Sequence, residues 1–588
     1  MAALPQFTYV FALGIIFAFL DAWNIGANDV ANAFATSVSS RSLTLVQAMT
    51  IGAIMEFTGA VLAGSRVAGT IKNDIISIEA FESAPSVLML AMLCALIGSS
   101  TFLTLATKIG MPVSTTHCII GGIIGVGFAT VGANGIDWSW EGVSQVFAAW
   151  GIAPCISGIF GAILFTFTKC GVMKAKNPLL VGMITVPFFY APTSGILTML
   201  IVWKGAASLD LDDWGTAPTV GTIMGVAVGV ALLSCIFLLP YIHVKLVKEN
   251  WKLKTWDIIK RPLLLRRPAA GPIPVGHMLV PDYYAGHATH ESIATDAAMQ
   301  NARRDEESTR SETDSGSDEK SAALYAPQAD ITTAVPAVSA VEPIVPIERK
   351  WYEPVQLLHS AKWFFFRGVM IDVVAEQKTT SEPKFLQRLM LGKNLDKKHA
   401  IVEHHDLKVE HLYSFLQVMT AATASFAHGA NDVSNAMGPP AAIYGVWQTN
   451  TTGEDSEVPI WILIFGGAAI ATGLWTYGYN LMRNLGNRIT LHSPSRGFCM
   501  ELGAALTVVM ATRLSLPVST TQCIIGATVG VGLCAGDVKA INWRMVIWAY
   551  AGWFIMLPCT ALISGCLLAF IINAPSWAAP LQMGLERL

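Results

Sequence analysis

An octapeptide occurs twice in this chain, and both copies lie inside strongly apolar sequence: Gly26-Ala27-Asn28-Asp29-Val30-Ala31-Asn32-Ala33 and Gly429-Ala430-Asn431-Asp432-Val433-Ser434-Asn435-Ala436. The spacing persists well beyond it. Pro112-Val113-Ser114-Thr115-Thr116 returns as Pro517-Val518-Ser519-Thr520-Thr521, Ile136-Asp137-Trp138 as Ile541-Asn542-Trp543, and Pro154-Cys155 as Pro558-Cys559, always 403 to 405 residues later. A near-constant offset over so much sequence is an internal duplication. Two homologous halves in an apolar chain are a recurring plan of secondary transporters.

That the chain is apolar follows from composition. Of 588 residues, 53% are hydrophobic and 13% charged, and the mean hydropathy of +0.51 is that of a polytopic membrane protein. The first apolar stretch, from about Phe7, has no basic leader and carries Asp21, Asn24, Asn28 and Asp29, so it reads as a retained helix and not a cleaved signal. Ten cysteines without a C-x-x-C pair suggest neither a zinc site nor a disulfide framework. A net charge of −3 carries no information about partners and gives no reason to expect nucleic acid.

At about 20 apolar residues per crossing, about twelve segments emerge: 7–30, 46–65, 87–107, 113–132, 143–168, 179–203, 219–243, 411–445, 458–482, 498–512, 516–534 and 543–573. Those within 87–132 and 498–534 are short or interrupted by Gly and Pro, which predicts broken or re-entrant helices. The expected organisation is an N-terminal membrane half (1–244, repeat 1 at about 7–170), a loop (245–410) and a C-terminal membrane half (411–588). The loop's middle, about 288–345, is rich in Ser, Thr, Pro and acids and is expected to be disordered. Its edges, Lys245 to Arg267 and Lys384 to Lys398, are basic with interleaved Trp and Leu, as befits the anionic cytoplasmic leaflet.

With that loop inside and seven helices before it, both termini lie outside. Arg41, Lys169, Lys174, Lys176, Arg483, Arg488 and Arg496 then fall on the inner side, in keeping with the positive-inside rule. The chain's one N-x-Ser/Thr sequon, Asn450-Thr451-Thr452, falls outside, where Asn450 is a glycosylation candidate. The second repeat enters from the face opposite to the first, so the repeats are inverted.

An ionised Asp in a spanning segment is unfavourable by several kcal/mol unless paired or hydrated. Two at matched positions, Asp29 and Asp432 with neighbours Asn28 and Asn431, suit a hard monovalent cation such as sodium. Gly26 and Gly429 are expected to permit local unwinding that bares carbonyl oxygens. Pro followed by hydroxyls and an apolar run reads as a helix start, with Pro opening the helix and Ser or Thr capping it. Two such starts, Ser114-Thr115-Thr116 and Ser519-Thr520-Thr521, would match a tetrahedral oxyanion, since free amides and the helix dipole favour anions. Glu56 and Glu501, acids in apolar surroundings at non-equivalent repeat positions, are candidates for cation binding, proton handling or a buried hydrogen bond. His428, which stands where the first copy has Ile25, is expected just behind the ligands. No glycine loop with a Walker lysine is present, and nothing points to an enzyme or to a bound organic cofactor.

The doubled octapeptide, the doubled Pro-Val-Ser-Thr-Thr motif, Ser493-Pro494-Ser495-Arg496-Gly497-Phe498 and the long central loop resemble the inorganic phosphate transporter (PiT) family of sodium-coupled symporters, most closely its fungal high-affinity group. The resemblance covers both membrane halves. It implies that Asp29 and Asp432 serve sodium and phosphate, that Ser114, Thr115, Thr116, Ser519, Thr520 and Thr521 cradle phosphate, and that Glu56, Glu501 and His428 matter to transport. His117 in the first copy faces Gln522 in the second, a departure from strict equivalence. The expected protein is an all-α, plasma-membrane sodium/phosphate symporter working by alternating access. Its partners are the bilayer, phosphate and sodium; a homodimer and regulatory partners of the loop are left open. A proton-driven or sulfate-carrying permease of the same fold, and a receptor or scaffold that does not transport, are the alternatives.

Overall fold

The computed structural model describes residues 3–64, 78–140, 142–203, 214–285, 395–452, 458–513 and 518–574, with the single positions 287, 360 and 516. Among these residues the structure is helical throughout. The first half supplies α1 (Thr8–Ser39), α2 (Leu45–Ala63), α3 (Pro85–Ile109), α4 (Thr115–Thr130) and α5 (Val143–Phe167). Next come α6 (Pro178–Trp203) and α7 (Thr216–Leu233), the latter prolonged through π-helical turns to Val247. After the short α8 (Leu395–Ile401), the second half supplies α9 (Leu407–Thr449), α10 (Ile460–Tyr477), α11 (Tyr479–Ile489), α12 (Pro494–Arg513), α13 (Thr520–Ala535) and α14 (Trp543–Asn573).

The duplication becomes a symmetry of packing. Helix α2 lies on α9 of the other half, and its counterpart α10 lies on α1. Likewise α4 packs on α14 as α13 packs on α5, so each half is completed by helices of the other. Helices α1 and α9 run antiparallel: the Ala3 and Leu4 amides donate to the Gln448 and Trp447 carbonyls at one end, and at the other Ser40 donates to Gln417. The repeats are therefore inverted. Pro154 in α5 and Pro558 in α14 sit inside intact helices at matching positions, which apolar bundles tolerate because neighbouring groups take up the freed carbonyls.

Eight described helices are long and apolar enough to cross a membrane: α1, α2, α3, α5, α6, α7, α10 and α14. The expected count of twelve is not reached on this ruler. Helices α9 and α12 are long but more polar, while α4 and α13, with 16 residues each, measure about 24 Å against a hydrocarbon core of about 30 Å. They begin inside the bundle, where the chain leaves α3 and α12.

Unwinding at Gly26 and Gly429 does not occur. Both α1 and α9 run unbroken through the octapeptide, and the glycines serve close approach instead. A methyl group at Gly26 would overlap the Ile470 carbonyl oxygen, and one at Gly429 the Glu56 carbonyl oxygen. The breaks lie elsewhere, at 110–114 between α3 and α4 and, among the described residues before α13, at 518–519. Gly110 ends α3 in the left-handed region (φ 73°).

Part of the long loop is ordered against the bundle. Residues Thr255–Arg266 form a 3₁₀ helix that exposes Trp256, Ile259 and Leu263. Further on, Tyr283 and Tyr284 are buried, with Tyr283 paired to His411 Nδ1 (2.6 Å) and the Tyr284 hydroxyl donating to Glu410 (2.9 Å). Residues 288–345 and most of Lys384 to Lys398 lie outside the described residues.

Candidate functional site

The two octapeptides bring Asp29 and Asp432 together in the interior, each about 1% exposed. Oxygen donors reach them from both halves. The Thr115 hydroxyl donates to Asp29 Oδ2 (3.0 Å), Thr521 to Asp29 Oδ1 (3.2 Å) and Thr520 to Asp432 Oδ2 (3.3 Å). The closing asparagines of the octapeptides cross over. Asn32 Nδ2 donates to Asp29, Thr520 and Thr521 (3.2, 3.3 and 2.8 Å), and Asn435 Nδ2 to Asp432, Thr115 and Thr116 (3.0, 3.3 and 3.0 Å). With their amides so held, the Oδ1 atoms of Asn32 and Asn435 are buried without a donor.

The hydroxyl motifs are helix starts, though not opened by proline. Helix α4 begins at Thr115, with Ser114 as its cap accepting from the His117 amide (3.3 Å); Pro112 lies in the break before it. Helix α13 begins at Thr520 with Ser519 at the cap position, its hydroxyl buried and unpaired. The two starts touch: the Thr521 hydroxyl oxygen also lies 3.1 Å from the Val113 carbonyl oxygen, an alternative acceptor for its single proton. Their first-turn amides and dipoles thus converge on one place.

His428 lies closer to the chemistry than expected. Its Nε2 is 2.6 Å from Asp432 and 3.4 Å from Asp29, and its Nδ1 is 2.6 Å from Glu56 Oε2. Asp29, His428 and Asp432 offer ligand atoms all within 4.8 Å of one another. Glu56 also accepts from Ser425 (3.1 Å). Three carboxylates therefore surround one imidazole, and with all three ionised the cluster carries more negative charge than that imidazole can offset. Such an excess is unfavourable in an apolar interior until cations join it.

The other expected residues are placed differently. Asn28 turns to the break, donating to Thr107 and the Met111 carbonyl (both 3.2 Å) and accepting from the Val113 amide (3.3 Å), so it holds the α3–α4 passage. Asn431 donates to Asp432 (2.9 Å). Glu501 forms a separate buried cluster, accepting from Thr36, Ser37 (2.7 Å), Thr420 (2.5 Å) and Gln417 (3.2 Å). Asn450 is exposed and caps the end of α9 with φ 56°. Asn32, Asn435, Thr36 and Gln417 are site residues that motif reading passed over. For the asparagines the signal was present, since they repeat with the octapeptide.

The signature of the phosphate transporter family spans residues 25–564. The chain belongs to that family. It is 47% identical to the phosphate-repressible phosphate permease pho-4 of Neurospora crassa, over 98% of this chain and 99% of that protein. Sodium-dependent phosphate transporter 2 of Bos taurus is 30% identical over 97% and 99%, and sodium-dependent phosphate transporter 1 of Mus musculus 27% identical over 95% of each. A solved structure titled "The sodium-dependent phosphate transporter" superposes with a TM-score of 0.61, covering 96% of this chain and 99% of that one at 23% identity, and so shares its fold. These family members are transporters, and this chain is a membrane protein of the same class and not an enzyme.

Proposed function

We propose that the protein is a sodium-coupled inorganic phosphate symporter whose phosphate sits between the starts of α4 and α13. The observation that carries this is the crossed hydrogen bonding: the threonine hydroxyls an oxyanion needs are donating to Asp29 and Asp432 instead. Each hydroxyl has one proton to donate. Phosphate can claim them only when something else compensates the carboxylates.

Sodium supplies that compensation. A cation held by Asp29 and Asp432, with the unpaired Oδ1 atoms of Asn32 and Asn435 as further oxygens, neutralises the acids and frees Thr115, Thr520 and Thr521. Those hydroxyls, with Ser114, Thr116, Ser519 and the first-turn amides, then face phosphate. Glu56 and His428 set the charge behind Asp29 and Asp432, and Glu501 with Thr36, Ser37, Gln417 and Thr420 forms a second cation position. Neither ion is stable in the site alone, and this is the physical content of coupling. Inverted halves packed crosswise then let the site face either side by rocking.

The same reading places the chain in the plasma membrane with both termini outside, the loop cytoplasmic and Asn450 available for glycosylation, with 1–244, 245–410 and 411–588 as its parts. Uptake of labelled phosphate into cells or proteoliposomes, with sodium replaced by choline across a range of pH, tests it. Uptake should collapse in choline. Undiminished uptake there would mean proton coupling, and labelled sulfate entering in place of phosphate would mean another oxyanion.

A further inference from the structure

One buried acid takes no part in the central site. Asp21 lies on α1, eight residues before Asp29, or about 12 Å along the helix axis, and it is wholly excluded from solvent. The buried acids described above all meet donors: Glu501 has four, and Asp29, Asp432, Glu56 and Glu410 have at least two polar partners each. Asp21 makes no hydrogen bond of good geometry at either oxygen. Its polar neighbour is the buried Ser99 hydroxyl of α3, which interacts with the carboxyl without reaching good hydrogen-bond geometry. One turn along α1, the Oδ1 of Asn24 is unpaired as well, because the amide nitrogen is held by the Leu20 carbonyl, the Ser100 carbonyl and Thr104.

The seam between α1 and α3 therefore gathers acceptors. Two carboxylate oxygens and an amide oxygen are there, and the Ser99 hydroxyl offers one proton among them. Leaving an ionised carboxylate in such a place is strongly unfavourable. Sodium would need several oxygens at once, yet α1 and α3 are unbroken here and their carbonyls are committed to the helical ladder. A proton needs only the carboxylate. The fold itself does not require polarity at this seam, for the second half has Ala424, Ala427 and Ala504 where the first has Asp21, Asn24 and Ser99.

We propose that Asp21 is a proton-binding site of the membrane bundle, separate from the central site and occupied in this arrangement of the helices. Around it α3 presents Ser99 and α4 the Cys118 thiol, while α9, α10 and α11, the second-half helices that pack most extensively along α1, bring no charged group that acts on it. Among the described residues no Lys, Arg or His pairs with it. Loss of the proton leaves a bare charge between α1 and α3, facing Cys118 in the first turn of α4. Alkaline conditions therefore disfavour this arrangement.

The direct test is infrared difference spectroscopy on the full-length protein in lipid as pH is raised. A protonated carboxyl C=O band should disappear in the wild type and be missing from Asp21→Asn. In parallel, sodium-driven uptake by wild type relative to Asp21→Asn, per molecule at the membrane, should fall on the alkaline side by up to about tenfold per pH unit for one proton. Phosphate's own ionisation affects both proteins alike and cancels in the ratio. Identical infrared spectra, or a ratio flat with pH, overturns the proposal. So does an unaltered pH profile with a shifted sodium dependence, which would mean that sodium occupies the site. If Asp21→Asn does not reach the membrane, Ser99→Ala should shift the frequency of the same band, and an unshifted band overturns it.

Discussion

Asn32 and Asn435 change sides. Each follows its own aspartate by three residues, and each reaches into the hydroxyl motif of the opposite half, Asn32 to Thr520 and Thr521 and Asn435 to Thr115 and Thr116. The pair therefore ties the octapeptide of one repeat to the helix start of the other, and holds each aspartate as it does so.

Because either amide makes three hydrogen bonds at hydroxyl or carboxylate oxygens, its loss should be felt in binding and not in folding alone. Asn32→Ala and Asn435→Ala should each lower uptake about 10- to 100-fold, from the loss of the one bond to a charged partner, at about 1.5–3 kcal/mol. Crossed symmetry predicts similar losses in the two. Uptake at saturating and limiting phosphate, corrected for surface protein, measures it.

Removing a single central charge tests the coupling directly. Asp29→Asn or Asp432→Asn should abolish sodium-driven uptake while leaving the protein in the membrane, since the amide keeps the size and loses the cation's partner. Normal uptake by both variants would defeat the proposed sodium site.

Packing carries a separate prediction. Gly26→Val should impair assembly, because its side chain would overlap the Ile470 carbonyl where α1 and α10 meet, at a cost of about 1–3 kcal/mol or more. The matched Gly429→Val should fail in the same way against the Glu56 carbonyl. Thermal stability of the purified proteins, followed by a fluorescent tag, checks both; unchanged stability would contradict the close approach.

The docked part of the long loop should respond to acid. The His404 ring stacks on Tyr284 (4.2 Å, 10° between planes), and burial, with Arg496 nearby, holds both His404 and His405 below the ordinary histidine value. A lowered value in the docked state means that docking favours the neutral rings. Its contribution is then complete above the ordinary value of about 6.5 and is lost progressively as pH falls below it. Hydrogen exchange at 276–285 should accordingly speed up between pH 7.5 and about 5.5, and less so in His404→Phe.

Much of this site is visible in the chain before any coordinates. The doubled octapeptide and doubled hydroxyl motif name Asp29, Asp432 and the threonines, the constant offset implies two homologous halves, and the odd number of apolar segments between the copies implies that they are inverted. What the repeat does not reveal is direction. Asn28 and Asn32 are equally repeated, yet one faces the break at 110–114 and the other the opposite half, a difference set by which side of α1 each occupies. Gly26 and Gly429 suggested unwound helix because glycine has two uses, and only the neighbouring carbonyls of Ile470 and Glu56 show that close approach is the one in force. His428 looked secondary as an unrepeated histidine; its place among three carboxylates depends on α2 of the first half lying against α9. Tyr283 and Tyr284 sit in a polar loop whose composition carries no sign of burial.

The crossed packing of the halves bears on how such a chain could arise. The principal contacts that α1, α2, α4 and α5 make with the second half, α1 on α10, α2 on α9, α4 on α14 and α5 on α13, are exchanged in pairs by the duplication. A single half-length polypeptide inserted into a membrane in both orientations would meet its own second copy through the same surfaces, and the shared pocket would close without a linker. Joining the two into one chain frees each from having to match the other. Asp21 against Ala424 and Ile25 against His428 are differences that a pair of identical subunits could not have carried.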